Sequence, residues 1–209
     1  MKVYYFPVYA RGEPIRMMLT HAKQPFEDNR IQMGDWGSMK NNTSMFEFGQ
    51  MPMVELENGQ RITQTKSILR SLGQKYGYYT SDPKEAWVID STMDATNEMF
   101  ELFAIPILGF CPPEKKPALL FELLTKQLPT FLERMEKRVS GKKFVCGDRI
   151  TCADFLLGGL LTNTLGNENN PHYYAFQHIL KSYPAVSKYM ENFVEANKEY
   201  LAKRPAAPL

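Results

Sequence analysis

The chain has 209 residues, of which 44% are apolar, enough to form the core of one large domain or two small ones. Its 25 basic and 23 acidic residues leave a net charge of +2, too small to favour nucleic acid or an anionic membrane as a partner. No apolar run approaches the roughly 20 residues of a membrane span, and Pro7 interrupts the first apolar run too early for a signal peptide. These observations predict a globular protein of the cytoplasm.

The cysteines and histidines offer no metal or redox motif. Cys111, Cys146 and Cys152 are odd in number and form no Cys-x-x-Cys pair, which argues against a disulfide framework and against a thioredoxin-type redox centre. The histidines are scattered without the spacing of metal ligands. Any thiol chemistry must therefore use a thiol that the protein binds.

The first 76 residues mix predicted strands with helices. Short strands are predicted over residues 3–6, 26–31, 53–56 and 61–63. Between the first two, Pro14 suits a first helical turn, and apolar residues follow at helical spacing, namely Ile15, Met18, Leu19 and Ala22. We expect residues 1–76 to form a small α/β domain with that helical stripe in its core.

Two neighbouring features of residues 48–65 predict a ligand site. Pro52 precedes an apolar run, so it belongs at the first residue of a strand, where a cis bond is possible and the backbone of Met51 is exposed. Asn58-Gly59 predicts a hairpin turn, and a helix follows at once. Its first turn offers free backbone N–H groups at Gln64 and Thr65, which suit a carboxylate. Together these features suit a small peptide with a free carboxylate.

Turn residues and Pro83 place a boundary after residue 76, and the rest of the chain, residues 83–209, is predicted to be helical. One apolar stripe extends from Trp87 to Phe103 and ends near Pro106. A second consists of Leu120, Leu124, Leu128, Phe131 and Met135. The tail from Lys203 is too rich in proline for a final helix.

Thr151 and Asp154 have the spacing of a capping box, with Ile150 placed to staple onto Phe155. We interpret this segment as the structural start of a helix and not as part of an active site. Removing the Asp154 carboxylate should cost on the order of 1 kcal/mol or more.

The order and spacing of these motifs resemble those of the cytosolic glutathione transferases. The similarity covers nearly the whole chain: residues 2–16, Asp35-Trp36 and Lys40, residues 49–52, Gln64-Thr65 and residues 151–154. The N-terminus is similar to the tyrosine-type classes, and sigma is the closest class. The resemblance implies a thioredoxin-like α/β domain over residues 1–76, followed by an all-α helical domain over residues 83–209.

The resemblance identifies Tyr5 as the catalytic tyrosine, which would donate a hydrogen bond to the glutathione thiolate, with Arg11 adding positive potential. Strand alternation alone sends Tyr4 and Tyr5 to opposite faces and does not choose between them. Tyr9 and Phe103 are expected to line the pocket for a hydrophobic electrophile. Glutathione would be a co-substrate, with no metal and no tightly bound cofactor.

The resemblance also implies a set of glutathione contacts. Trp36 and Lys40 would hold the glycine carboxylate, although Trp36 could instead be a packed surface aromatic. The other expected contacts are Gln50, Met51, Pro52, Gln64 and Thr65. Asp94, by default a solvated charge, would reach the γ-glutamyl amine across the interface of a homodimer.

The favoured function is addition of glutathione to hydrophobic electrophiles. A glutathione-dependent isomerase, for example of prostaglandin endoperoxides, is an alternative within the same fold. A non-catalytic binding or structural protein is the contrasting class.

Overall fold

The computed structural model describes residues 1–207, and its N-terminal part is built on one mixed four-stranded sheet. The strands are β1 (Lys2–Tyr5), β2 (Glu27–Arg30), β3 (Met53–Glu55) and β4 (Arg61–Thr63), in the order β2-β1-β3-β4. β1 pairs parallel with β2 and antiparallel with β3, and β3 and β4 form the expected hairpin. The four predicted strands are thus present, and each of their ends lies within one residue of the predicted end.

Three helices accompany this sheet: α1 (Glu13–His21), α2 (Met33–Met39) and α3 (Thr65–Tyr76). The stripe predicted for α1 is largely in the core, since Ile15, Met18 and Leu19 have no exposed surface. α3 ends at Gly77, which adopts a left-handed conformation suited to glycine. The expected small α/β unit is therefore present.

The remaining helices follow without a further strand among the described residues. They are α4 (Pro83–Ile107), α5 (Lys116–Glu122), α6 (Leu128–Val139), α7 (Cys152–Thr164), α8 (Tyr173–Leu180), α9 (Pro184–Ala196) and α10 (Lys198–Leu201). α5 continues into α6 through a π-helical turn over residues 123–127. No helix among residues 1–207 has both the length and the apolar character needed to span a bilayer.

The stripe predicted for α4 is wrong at its first residue. Trp87 is 65% exposed, and its ring lies 5.5 Å from the Arg138 guanidinium on α6. Further along the helix, Met93 and Phe103 are buried as expected. Pro106 lies one residue before the end of α4, so the helix ends where the sequence indicated. The helical spacing of apolar residues does not distinguish a tryptophan buried in the core from an exposed one that packs against a cation.

α7 is buried along its whole length and packs against α1, α4 and α9. The predicted capping box is present: the Asp154 carboxylate accepts hydrogen bonds from the Thr151 amide at 2.7 Å and from its hydroxyl at 2.8 Å. It also accepts from the Val145 amide at 2.8 Å and from the Tyr189 hydroxyl at 3.1 Å. Asp154 therefore joins the start of α7 to a neighbouring loop and to α9.

After α10 the chain forms turns and an irregular segment up to Ala207, without a further helix. This agrees with the expectation from its prolines, and the last two residues, Pro208 and Leu209, lie outside the described part of the chain.

Candidate active site

Two cavities lie side by side between the sheet unit and the helices. The first, here called the polar cavity, has a volume of about 500 Å³ and opens to solvent. The second, the apolar cavity, holds only about 30 Å³. Arg11, Thr65, Phe100 and Ala104 line both cavities and therefore form the wall between them.

Backbone features form one side of the polar cavity. The Met51–Pro52 peptide bond is cis, and both residues line the cavity where β3 begins. Across from them, Gln64 has a φ of +69°, which is unusual for a residue with a side chain. Such conformations persist where the surrounding structure holds them, often at ligand sites. The peptide edge and the helix start that the sequence predicted to lie together do so.

The N-terminus of α3 is open to a ligand. No side chain of the described residues caps it, which leaves N–H groups of its first turn unpaired. The Gln64 side-chain amide donates to Oε1 of the Gln50 side chain at 2.9 Å, which ties the two predicted contacts to each other. Thr65 is buried, and its hydroxyl approaches the Arg11 carbonyl oxygen at 3.4 Å. An anion would meet backbone N–H groups and the positive end of the α3 dipole here.

Trp36 lies on α2, is half-buried and lines the polar cavity. It meets Phe6 and Phe46 edge-on, with ring centroids 5.9 Å and 4.9 Å away. Trp36 is thus both a packed aromatic and part of the cavity wall, so the two interpretations of it are compatible. Lys40 is exposed and is not among the residues that line the cavity.

Tyr5 lies on the buried face of β1 and is only 6% exposed, whereas Tyr4 lies on the opposite face against Phe46. The Tyr5 hydroxyl accepts a hydrogen bond from the Arg11 amide at 3.1 Å. Gly12 makes this approach possible, because a Cβ there would lie 2.4 Å from the Tyr5 ring. Tyr5 does not itself line either cavity, but its hydroxyl is held beside a residue that lines both.

Burial raises the pKa of the Tyr5 hydroxyl, an effect opposed by the Arg11 amide and by the charges of Arg11 and Arg16. The hydroxyl therefore stays protonated at neutral pH. Since it accepts the Arg11 N–H, its own proton remains free to donate.

Arg11 occupies the boundary between the cavities. Its guanidinium pairs with the Glu101 carboxylate at 3.3 Å and lies 4.9 Å from the centre of the Phe100 ring. The side chain is about one-third exposed. It therefore keeps a positive charge at the wall that both cavities share.

The apolar cavity is enclosed by side chains of α4 and α7 together with residues 10–14. Phe103 lines it and meets Phe176 edge-on at 5.6 Å, and its expected contact with an electrophile stays a prediction. Leu156 and Leu160 of α7 form another part of the wall, with Asn163 one turn further on. No sequence pattern indicated this wall. The i, i+4, i+7 spacing is visible, but a helix buried on all sides shows no preferred face.

Tyr9 does not line the apolar cavity, and its expected contact with an electrophile stays a prediction. It is 3% exposed, donates to the Pro205 carbonyl oxygen at 3.0 Å and accepts from the Ala207 amide at 3.1 Å. The Arg204 guanidinium lies 3.8 Å from the centre of its ring. Tyr9 therefore anchors the C-terminal tail, a long-range contact that its local sequence does not indicate.

Asp94 is exposed on α4 and pairs with Lys66 of α3. It does not line either cavity of the described chain. Its expected role across a homodimer interface stays a prediction.

Two of the three cysteine thiols, those of Cys146 and Cys152, are poorly suited to act as nucleophiles. Cys152 is buried and donates to the Leu69 carbonyl oxygen at 3.0 Å, and burial raises its pKa to about 12. Burial raises the pKa of Cys146 to about 11. Within residues 1–207 no group of three or more histidine, cysteine or acidic residues could hold a metal ion.

Comparison with known proteins identifies the family. Residues 106–204 match the family model for the C-terminal domain of glutathione S-transferases. The chain is 31% identical to a glutathione S-transferase of Anopheles gambiae, over 98% of this chain and 96% of that protein.

Solved structures share the fold over nearly the whole chain. A prostaglandin synthase D of Nilaparvata lugens superposes with a TM-score of 0.83 at 25% identity, covering 99% of this chain and 98% of the other. A sigma class glutathione transferase of Fasciola hepatica gives 0.82 at 25% identity, covering 100% and 98%. The fold expected from the sequence is confirmed, and the chain belongs to the glutathione transferase family and is an enzyme of that family.

Proposed function

We propose that the protein ionises the thiol of glutathione in the polar cavity and adds the thiolate to hydrophobic electrophiles that enter from the apolar cavity. The observation that supports this proposal is the wall of residues that lies between the polar cavity and the apolar cavity. Arg11 and Thr65 line both cavities, and the Arg11 amide holds the Tyr5 hydroxyl at 3.1 Å. A sulfur atom near this wall would lie within reach of a neutral donor, a cation and an apolar compartment.

The glutathione contacts are assigned from the polar cavity and its surroundings. Gln64, Thr65 and the open N-terminus of α3 receive the γ-glutamyl carboxylate, with Gln50 beside them. The backbone of Met51, ahead of cis Pro52, pairs with the peptide of the ligand. Trp36 and Lys40 hold the glycine carboxylate. Lys40 is exposed to solvent and does not line the polar cavity. This last assignment therefore requires the Lys40 side chain to turn toward the cavity.

Tyr5 and Arg11 act on the sulfur. A free thiol has a pKa near ~8.5, and only its thiolate is a good nucleophile. A hydrogen bond from the Tyr5 hydroxyl to the thiolate is worth about 1.5–3 kcal/mol. Since each unit of pKa corresponds to about 1.4 kcal/mol, this bond alone can lower the thiol pKa by about one to two units. Arg11 and the N-terminal end of α1 add positive potential.

The chemical step is then a simple displacement or addition. The thiol proton leaves to solvent, the sulfur–carbon bond forms, and in a displacement the leaving group departs with its electron pair. No oxidant, reductant or tightly bound cofactor is needed.

We further propose a cytoplasmic homodimer in which residues 1–76 bind glutathione, residues 83–209 contribute the electrophile site, and Asp94 reaches the partner's glutathione amine. Sigma is the class we favour, supported by the similarity to the Fasciola hepatica enzyme. A glutathione-dependent prostaglandin isomerase is the second candidate, favoured by the similarity to prostaglandin synthase D of Nilaparvata lugens. A non-catalytic binding protein would not need a donor poised beside a cation.

Comparing Tyr5→Phe with wild type tests the proposal. We expect wild type to conjugate glutathione to a chloronitroarene and to show a depressed thiol pKa in the ultraviolet absorbance of the bound thiolate. Tyr5→Phe should lose about 10- to 100-fold in kcat/KM, from the lost charge-assisted bond, while still binding glutathione.

Tyr4→Phe is the matched control, because Tyr4 lies on the opposite face of β1. It should keep activity within about twofold. A wild-type protein that binds glutathione with neither turnover nor a shifted thiol pKa would instead be a binding module.

A further inference from the structure

The hydroxyl groups in the apolar cavity are already engaged. Thr96 donates its hydroxyl proton to the Thr92 carbonyl oxygen at 2.7 Å, and Thr164 donates to that of Leu160 at 2.6 Å. Each bond lies within the residue's own helix. A threonine hydroxyl has only one proton to donate, so these two side chains offer a ligand their methyl groups and no donor.

Two further polar side chains of the cavity are also paired. The Thr65 hydroxyl is directed at the Arg11 carbonyl oxygen at 3.4 Å. The Asn97 amide donates to the Glu101 carboxylate at 3.1 Å, on the side of the polar cavity. The Thr65 hydroxyl proton is thereby used, and Asn97 uses one of the two protons of its NH₂ group on the side of the polar cavity.

Asn163 differs from these residues in the hydrogen bonds of its side-chain amide. Its Oδ1 accepts from the Arg204 guanidinium at 2.6 Å, while its Nδ2 donates to no acceptor within residues 1–207. The residue is 4% exposed and lines the apolar cavity. Because a guanidinium has only donors, the amide must turn its oxygen toward Arg204 and its NH₂ group away. An amide N–H group at the cavity wall that has no protein acceptor is available to donate to a ligand oxygen.

Arg204 is itself held in place. The same nitrogen that meets Asn163 also donates to the buried Glu13 carboxylate at 3.0 Å. Its guanidinium is stacked over the Tyr9 ring at 3.8 Å. These contacts leave little freedom for Arg204 to rotate, so the orientation of the Asn163 amide is set before any ligand arrives.

We propose that Asn163 determines the specificity of the apolar cavity, by donating a hydrogen bond from Nδ2 to an oxygen acceptor on the electrophile, such as a nitro or carbonyl group. Arg204 is a positioning residue that keeps this donor turned into the cavity. The inference rests on the proposed function, since it names the electrophile class that the same site prefers.

Two electrophiles that differ only in the acceptor provide the test. Para-nitrobenzyl chloride and para-methylbenzyl chloride react by the same step: the sulfur–carbon bond forms, the carbon–chlorine bond breaks, chloride leaves with the electron pair, and the thiol proton passes to solvent. The ratio of their kcat/KM values is compared between variants. Intrinsic reactivity and the fraction of folded enzyme cancel in this comparison.

Asn163→Asp keeps an acceptor for Arg204 but replaces the NH₂ group with a second oxygen. We expect the preference for the nitro substrate to fall about 10-fold, as the loss of one hydrogen bond predicts. Asn163→Leu should act in the same direction. An unchanged ratio in both variants would overturn the proposal.

Two further comparisons separate positioning from general disturbance. Arg204→Met should lower the ratio by a smaller factor, and Arg204→Lys should restore most of it. Thr164→Val alters the same wall without removing an available donor, so the ratio should stay within about twofold of wild type. A ratio that falls equally in Thr164→Val would assign the effect to the shape of the wall and reject the role of Asn163.

Binding of the product conjugates distinguishes this inference from the proposed function. Calorimetry gives the affinities of S-(para-nitrobenzyl)glutathione and S-(para-methylbenzyl)glutathione without any turnover. If Asn163→Asp selectively weakens the nitro conjugate, the inference stands even for a protein without transferase activity. Turnover of both substrates with no selective loss in either measurement would leave the proposed function intact and reject the inference.

Discussion

The two cavities are built in different ways. Backbone features of nearby segments form one side of the polar cavity, namely the peptide bond before Pro52 and the open start of α3, and its volume is about 500 Å³. Side chains from separate helices define the apolar cavity, whose volume is about 30 Å³.

This difference suits an enzyme with one fixed co-substrate and a variable second substrate. A rigid backbone frame recognises the same peptide each time, because its donors are held in place before binding. Side chains change rotamer at small cost and can admit electrophiles of several shapes. The comparison predicts that changes in the polar cavity alter glutathione affinity, whereas changes in the apolar cavity alter electrophile selection.

The largest effect is expected on stability, from Asp154. This prediction tests whether Asp154 takes part in glutathione binding or in electrophile selection. Asp154→Ala leaves the amides of Thr151 and Val145 and the hydroxyl of Tyr189 without their acceptor in the core. We expect the free energy of unfolding to fall by about 3–5 kcal/mol in urea denaturation, with unchanged glutathione affinity in the folded fraction. The capping box alone predicted about 1 kcal/mol, and the contacts to Val145 and Tyr189 add the rest.

The exposed Asp148 provides the control for this experiment. Asp148→Ala should change stability by no more than about 0.5 kcal/mol. A fully stable but inactive Asp154→Ala protein would show that the start of α7 takes part in the chemistry.

A smaller effect is expected from Gln64, which belongs to the polar cavity alone. Gln64→Gly removes the side-chain amide while accepting the positive φ of +69° without strain. We expect KM for glutathione to rise about 10-fold, from one lost hydrogen bond, with an unchanged preference among electrophiles. Steady-state kinetics with two electrophiles measures both quantities.

Gln60→Ala, on the exposed hairpin turn, is the matched glutamine variant and should leave KM unchanged. A Gln64→Gly protein with normal KM and altered electrophile preference would contradict the division between the cavities.

The smallest effect is expected from Phe103→Leu in the apolar cavity. Phe103 is buried against Phe176, and the smaller side chain should cost about 1 kcal/mol of stability while enlarging the cavity. Rates with bulky electrophiles should rise several-fold relative to small ones, at constant KM for glutathione.

Phe121→Leu is the control, because Phe121 is exposed on α5 and lines neither cavity. If Phe103→Leu raises KM for glutathione as much as Gln64→Gly does, the two cavities do not act separately.

Much of the polar cavity could be predicted from the sequence, because the residues that indicate it lie close together in the chain. Pro52, the Asn58-Gly59 turn and the start of α3 lie within about fifteen residues, and each restricts the backbone by itself. Tyr9 shows where this reasoning stops. The resemblance implied a place for it near the electrophile, and no local pattern indicated that its hydroxyl bonds to Pro205 and Ala207 at the other end of the chain.

The prediction for Trp87 was wrong, and no prediction was made for Asn163, for a related reason. The apolar periodicity of α4 suggested that Trp87 was buried, yet its ring covers a cation on another helix. Asn163 gave no signal at all, because its role depends on a hydrogen bond from Arg204 that joins two distant parts of the chain.

The sequence by itself determined the class of fold, the capping box of α7 and the edge and helix start that form the polar cavity, since short-range backbone preferences control all of these. Only the tertiary structure decided which side chains enclose the apolar cavity, which hydrogen-bond donors there remain unused and how the C-terminal tail holds Tyr9 and Asn163. These features depend on packing between elements far apart in sequence, and no local pattern specifies that packing.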